Sequence, residues 1–338
     1  MRAPSAVTTP KRAASAKRLF AAVDIGGTKI AGALVDGDGE ILVRVTCATP
    51  ALGTADNVLR AVYEVIGGLA ADPRWGQVSA LGIGSAGPVD TAQGTVSPVN
   101  IPSWRDFPLV RSVADHPAVA AHPAVGALPV VLGGDAVAMT AAEHWRGAAR
   151  GHANALCVVV STGVGAGLVL NGALHAGPTG NAGHLGHITV DLDGDPCPCG
   201  SRGCVEVLAS GTAIARHALS QGWRPSGPDS SAAAVAVAAE AGDPIALAAF
   251  DRAAQALAAG LAATATLVEI DLAVIGGGVA QAGEILFAPL RRHLARYATL
   301  SFVAGLQVAP AALGTDAGLV GAAALAAARA TPQAGLPS

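Results

Sequence analysis

An apolar strand, a glycine-rich turn and a second apolar strand occur twice in this chain, as LFAAVDIGGTKIAGALVD at residues 19–36 and as ALCVVVSTGVGAGLVLNGAL at residues 155–174. Such a segment folds as a tight strand pair, and its glycines let backbone N–H groups approach a ligand closely at the turn. Two copies in 338 residues predict two lobes that begin alike, which also suits the length at roughly 150 residues per domain. After the first pair, GDGE leads into a third strand, ILVRV. Val58, Leu59, Val62, Val65, Ile66 and Leu69 then follow at helical spacing between Thr54 and Ala71. SALGIGSAGPVD reads as a buried strand running into a Gly/Pro loop. Strands alternating with helices in this way specify an α/β protein.

Residues 115–129 hold three prolines and a repeated His-Pro-Ala-Val, and are expected to form a mobile connection before the strand VVLGG. Helices are expected from Asp135 to about Arg150 and over Gly211–Ser220, Pro244–Val268, Ala280–Tyr297 and Asp316–Ala330, with a short strand LAVIGGG before Ala280. Asp243 before Pro244 is a suitable N-cap and first-turn pair. This reading gives a basic disordered tail (1–18), a first lobe (19–133) on which the closing helix (316–330) packs back, and a second lobe (134–315).

Composition removes several classes. Half of the residues are hydrophobic (51%) and only 13% are charged, the reverse of the disordered signature. The net charge of -3 leaves no basic field for nucleic acid or anionic lipid. The uncharged run 153–183 contains seven glycines, which suits turns and not a membrane helix. The Ala-rich run 253–268 is shorter than the ~20 residues a span needs. Five cysteines without a secretory signal point to a reducing cytoplasm.

The turn DIGGTK places Gly26, Gly27, Thr28 and Lys29 where backbone and hydroxyl donors can meet a phosphate, and Asp24 where it can hold a hydrated Mg2+. Lys29 is the only lysine outside the tail, which has Lys11 and Lys17. It is not a dinucleotide fingerprint, because a strand follows and not a helix. STGVGAG, with Thr162 and Gly163, is a second turn of this chemistry, and Gly276, Gly277 and Gly278 form a third ahead of an apolar helix. Separately, His187, Cys197, Cys199 and Cys204 offer one imidazole and three thiolates, a donor set that closes a tetrahedral structural zinc site.

DIGGTK, GIGSAGPVD, STGVGAG, GNAGHLGH followed by CPCGSRGCVE, and IGGG come in the order and spacing seen in the ROK family of sugar kinases, and the resemblance covers about residues 19–330. It implies a two-lobed actin-like ATPase (ribonuclease H-like) fold with a zinc loop in the second lobe and ATP and sugar bound between the lobes. By residue-by-residue match it makes Asp135 the general base, and places Asn100, Asp135, His187 and Glu206 around the sugar. It assigns the same four zinc ligands, and zinc would then preorganise His187 and Glu206. Two positions depart from the pattern: Gly134 stands where an Asn usually precedes the base, and His184 where glucokinases have Glu. The AGHLGH form is similar to that of bacterial N-acetylmannosamine kinases, and an imidazole can donate to an acyl carbonyl where a carboxylate cannot.

The expected activity is therefore transfer of phosphate from Mg-ATP to the C6 hydroxyl of N-acetylmannosamine or a related 2-acetamido hexose. A glucokinase of broad specificity is the alternative. A ROK-type transcriptional regulator is disfavoured, since only 23 residues precede Asp24 and leave no room for a winged helix-turn-helix. A sugar-binding protein without turnover is the third reading. The resemblance also implies a homodimer.

Overall fold

The structure, a computed structural model, describes residues 18–330. Apart from Arg18, the tail expected at 1–18 lies outside the described residues. The first half comprises β1 (Leu19–Ile25), β2 (Lys29–Asp36), β3 (Ile41–Ala48), α1 (Ala55–Ala70), β4 (Val78–Ser85), a two-stranded ribbon of β5 (Val89–Asp90) and β6 (Thr95–Val96), short helices α2 (Leu109–Ala114) and α3 (Pro117–Ala120), and β7 (Val130–Gly134). The chain continues through α4 (Asp135–Arg146), β8 (Ala155–Val160), β9 (Val164–Leu170), β10 (Ala173–His175), α5 (Val205–Ala209), α6 (Gly211–Ser220) and α7 (Ala232–Glu240). It ends with α8 (Pro244–Val268), β11 (Leu272–Gly276), α9 (Glu284–Tyr297), β12 (Gln307–Pro310) and α10 (Ala317–Ala330).

The two halves repeat one topology. The first sheet is ordered β3-β2-β1-β4-β7 and the second β10-β9-β8-β11-β12. In each, three strands form an antiparallel meander; the first of them pairs in parallel with one later strand (β4 or β11), which in turn pairs in parallel with a second (β7 or β12), both reached by crossovers. The paired turns DIGGTK and STGVG thus occupy equivalent strand ends. One core lies between the first sheet and α1, with Val58, Val62, Val65, Ile66 and Leu69 all fully buried. The largest core covers the second sheet with α5, α8 and α9.

Between the sheets run α4 and α10, crossing so closely that at the nearest points no Cβ fits. A Cβ on Gly82 of β4 would overlap the Ala322 carbonyl, and one on Gly321 would overlap the Ala138 carbonyl. The closing helix therefore packs against β1, β4 and α4.

Three sequence expectations need correction. Residues 115–129 are not a loose connection: Val119 and Leu128 are buried, and His122 is buried with its Nε2 2.9 Å from the Trp75 carbonyl. A buried side chain that satisfies a carbonyl holds this proline-rich segment in place. The helix expected over Pro244–Val268 forms as α8, but its 25 residues make it long and apolar enough to span a bilayer by length and composition, unlike the run 253–268 taken alone. Its start is set by the Asp243 cap, whose Oδ1 accepts from Ile245 and Ala246 at 2.8 and 2.9 Å. It packs on α5, α6, α7 and α9, with 61% of its most apolar window buried. Finally, α4 stops at Arg146 and not near 150, because the buried Glu143 carboxylate accepts the Ala148 N–H at 2.7 Å and turns the chain. The sequence reading also missed α7 and β12, which lack a distinct periodicity.

Candidate active site

The first glycine-rich turn is closed by the Gly26 N–H donating to the Lys29 carbonyl at 3.0 Å. Thr49, just after β3, braces it: its Oγ1 donates to the Gly26 carbonyl at 2.7 Å and its N–H to the Thr28 carbonyl at 3.0 Å. Gly27 is small for a reason outside the turn, since its Cβ would lie 2.6 Å from Asn100 Nδ2. The second turn repeats this arrangement. A Cβ on Gly163 would lie 2.6 Å from Glu206 Oε2, which accepts the Val164 N–H at 2.8 Å. Each turn is thus overlaid by one polar side chain from a distant segment. The third glycine run is set apart: Gly277 has φ +88°, and a Cβ there would overlap the Val160 carbonyl, while Gly276 abuts Met139 of α4 and Ala311. Thr162 offers its carbonyl to Thr212 Oγ1 at 3.0 Å.

Asp24 ends the apolar run of β1 beneath the first turn. Gly318, in the first turn of α10, leaves it room, because a Cβ there would overlap the carboxylate. Burial pushes the Asp24 carboxyl up to about 6, the negative charge of Asp135 adds to the effect, and Lys29 opposes it. Asp135 is the first residue of α4, with Gly134 rather than Asp135 in the N-cap position. Its Oδ1 accepts the Ala136 N–H at 2.7 Å. The side chain is accessible to solvent, yet the surrounding protein removes bulk hydration. Its pKa is accordingly raised by desolvation, against the lowering influence of the Ala136 N–H and of His184. Two carboxylates, a lysine and an imidazole therefore converge where the two halves meet.

His184 places its Nδ1 2.8 Å from the Asn181 carbonyl and its ring 6.1 Å from that of His187. Only an N–H can satisfy a carbonyl, so the proton of a neutral ring sits on Nδ1 and Nε2 is left as an acceptor. The expectation that His184 donates to an acyl carbonyl thus holds only for the imidazolium. Asn181 itself spans to the first half, donating to the Val89 carbonyl at 2.7 Å and accepting the Val89 N–H at 3.4 Å.

His187, Cys197, Cys199 and Cys204 bring their ligand atoms within 4.8 Å of one another. Zn–S bonds of ~2.3 Å at tetrahedral angles require thiolates about 3.8 Å apart, and Cys199 and Cys204 Sγ are separated by 3.8 Å. The His187 ring turns Nδ1 toward Cys197 Sγ at 3.8 Å, leaving Nε2 for another partner. Donor chemistry and spacing both fit zinc. Cys204 is also the N-cap of α5, which carries Glu206 in its first turn, and Cys204 bridges to Thr189 just beyond His187. The cluster joins the segment of His187 to the helix of Glu206.

The sequence reading missed Thr49, Asn181 and Gly318. Asn181 lies within the GNAGH run and could have been singled out; Thr49 and Gly318 carry no local signal.

The chain matches the ROK family over residues 20–329. It is 36% identical to a glucokinase of Thermotoga maritima over 316 residues, covering 90% of this chain and 95% of the relative. It is also 36% identical to an N-acetylmannosamine kinase of Haemophilus influenzae over 304 residues, 89% of this chain and 93% of that one. Among solved structures, a ROK family glucokinase from Streptomyces griseus in complex with glucose and AMPPNP superposes with a TM-score of 0.75 at 36% identity, covering 92% of this chain and 99% of the other. With its duplicated sheets, its paired glycine turns and its Cys/His cluster, this two-lobed, actin-like α/β protein belongs to the ROK family.

Proposed function

We propose that the protein is an ATP-dependent hexose kinase acting on the C6 hydroxyl of N-acetylmannosamine or a related 2-acetamido hexose, with glucose as the competing substrate. The observation that carries this reading is Asp135, a carboxylate of raised pKa at the start of α4, facing Asp24 and His184. In the reaction, the C6 oxygen attacks the γ-phosphorus, its proton passes to the Asp135 carboxylate, and the bond from γ-phosphorus to the β,γ-bridging oxygen breaks to release ADP. A positioned base contributes typically about 10² to 10⁴-fold.

Asp24, Gly26, Gly27, Thr28 and Lys29 would hold the phosphates with Thr162 and Gly163, and Gly276, Gly277 and Gly278 the remainder of the nucleotide. Asp24 would hold Mg2+, which when bound would neutralise phosphate charge. Asn100, His184, His187 and Glu206 bind sugar. Glu206 uses Oε2 on Val164 and keeps Oε1 for a hydroxyl, while His187 keeps Nε2 when Nδ1 is on zinc. The Nε2 acceptor of neutral His184 suits the amide N–H of an acetamido group and a hydroxyl alike, so the choice of hexose rests on the resemblance of AGHLGH. The lobe boundaries (19–133 and 134–315), a cytoplasmic setting and a homodimer belong to the same reading.

A Mg-ATP coupled assay over N-acetylmannosamine, glucose, mannose and N-acetylglucosamine tests it. N-acetylmannosamine is expected to be the best substrate, and Asp135→Asn to lower kcat at least about 10²-fold. Glucose as the best substrate would overturn the sugar assignment. Absence of turnover above the Asp135→Asn background would overturn the kinase in favour of a sugar sensor.

A further inference from the structure

Residues 97–106 form a closed loop over the first glycine-rich turn. Its neck is a reciprocal bridge in which the Val96 N–H donates to Phe107 and the Phe107 N–H to Val96, each at 3.0 Å. One residue inward, the Asp106 N–H donates to Ser97 Oγ at 2.9 Å. Ile101 and Trp104 are fully buried, and the Trp104 ring stacks on Phe107 with centroids 4.4 Å apart. These contacts anchor the base of the loop. Its curl depends on Arg105, whose Nη1 donates to the carbonyls of Pro98, Ile101 and Trp104 at 3.0, 3.3 and 2.6 Å. The first two carbonyls bracket Asn100. Hydrogen bonds from a charged donor are about twice as strong as neutral ones, so this one nitrogen gathers the segment that presents Asn100. Asn100 in turn lies on Gly27, where no side chain longer than hydrogen fits.

We propose that Arg105 is a positioning residue for substrate, holding residues 98–104 so that Asn100 stays over Gly27 and reaches the hexose. That Asn100 meets a hexose rests on the kinase reading above; that Arg105 shapes the loop does not. If Arg105 acts through Asn100, the two residues are energetically coupled, whereas a general structural role would leave their effects independent.

The test is calorimetric titration of N-acetylmannosamine and of glucose, without ATP, into wild type, Arg105→Met, Asn100→Ala and the double variant. Arg105→Met and Asn100→Ala are each expected to weaken binding about tenfold, and the double variant no more than about tenfold, in place of the roughly hundredfold that additivity requires. Arg105→Lys, which keeps a cationic head with N–H donors, should stay within about threefold of wild type. Additive losses, or an Arg105→Met protein that binds like wild type, overturn the proposal. If wild type binds neither sugar, the hexose reading fails and amide hydrogen exchange decides the role of Arg105 alone. The Ile101 and Trp104 amides, bonded to Pro98 and Ile101 at 3.2 and 3.0 Å, should then exchange at least about tenfold faster in Arg105→Met, with α1 unchanged. Unaltered exchange there overturns it.

Discussion

Asp24 shows at the scale of one residue how the site opposes the stability of the fold. Its folded pKa, about 6, lies above its ordinary value of 3.8. The native state therefore holds the proton more tightly than the unfolded chain. The stability this confers is complete below about pH 4 and is lost as pH rises through about 6. Asp24→Asn removes the titration. In the ligand-free protein it is expected to raise unfolding free energy at pH 7.5 by about 2 kcal/mol and to change little at pH 4. Urea denaturation at the two pH values checks this, and equal effects at both would contradict it. The local placement of such residues was legible in sequence: an Asp near the end of an apolar strand before Gly-Gly and another opening a helix after VVLGG. The mutual influence of Asp24 and Asp135 was not, because 110 residues separate them in the chain. The donor or acceptor character of His184 was not legible for a comparable reason, since a ring nitrogen takes it from its partner, here the Asn181 carbonyl.

At the scale of the element, the metal loop is the clearest case of local specification. Its four ligands fall within residues 187–204, a span short enough for spacing and residue type to foretell the cluster. What spacing does not convey is that Cys204 caps α5, so that the Cys/His cluster is linked to Glu206 and through it to the second glycine turn. About one zinc per chain is expected by metal analysis. Stripping it with chelator, or Cys204→Ser, should lower Tm by about 5 °C or more, since the binding free energy of a structural zinc is folding free energy. A metal-free protein with the Tm of the loaded one would refute the structural role. Helix α8 was legible through its Asp-Pro start, yet α7 was not, because its AAAVAVAAE carries no apolar stripe to reveal a buried face. The proline-rich segment before β7 was misjudged because prolines mark turns but do not tell whether His122 and Leu128 find a core.

For the whole molecule, the decisive contact is the crossing of α4 and α10 between the two sheets. The positions of Asp135 and Asp24 depend on it, Asp135 as the first residue of α4 and Asp24 through its packing on Gly318 of α10. Because a Cβ at Gly321 would overlap the Ala138 carbonyl, Gly321→Ala should cost about 2 kcal/mol or more despite its better helix propensity. A urea-derived loss below about 0.5 kcal/mol would show that the crossing yields easily. By itself the sequence determined whatever depends on neighbours along the chain. That comprises the duplicated strand–turn–strand units, the helix caps, the glycine turns and the Cys/His donor set, each fixed by periodicity, backbone freedom or ligand chemistry over a few residues. Only the tertiary structure decided which distant groups meet: Asn100 over Gly27, Glu206 against Gly163 and Gly318 beneath Asp24. Those encounters follow from crossovers and helix packing, whose free energy comes from burial across the whole molecule and leaves no signature at the residues it brings together.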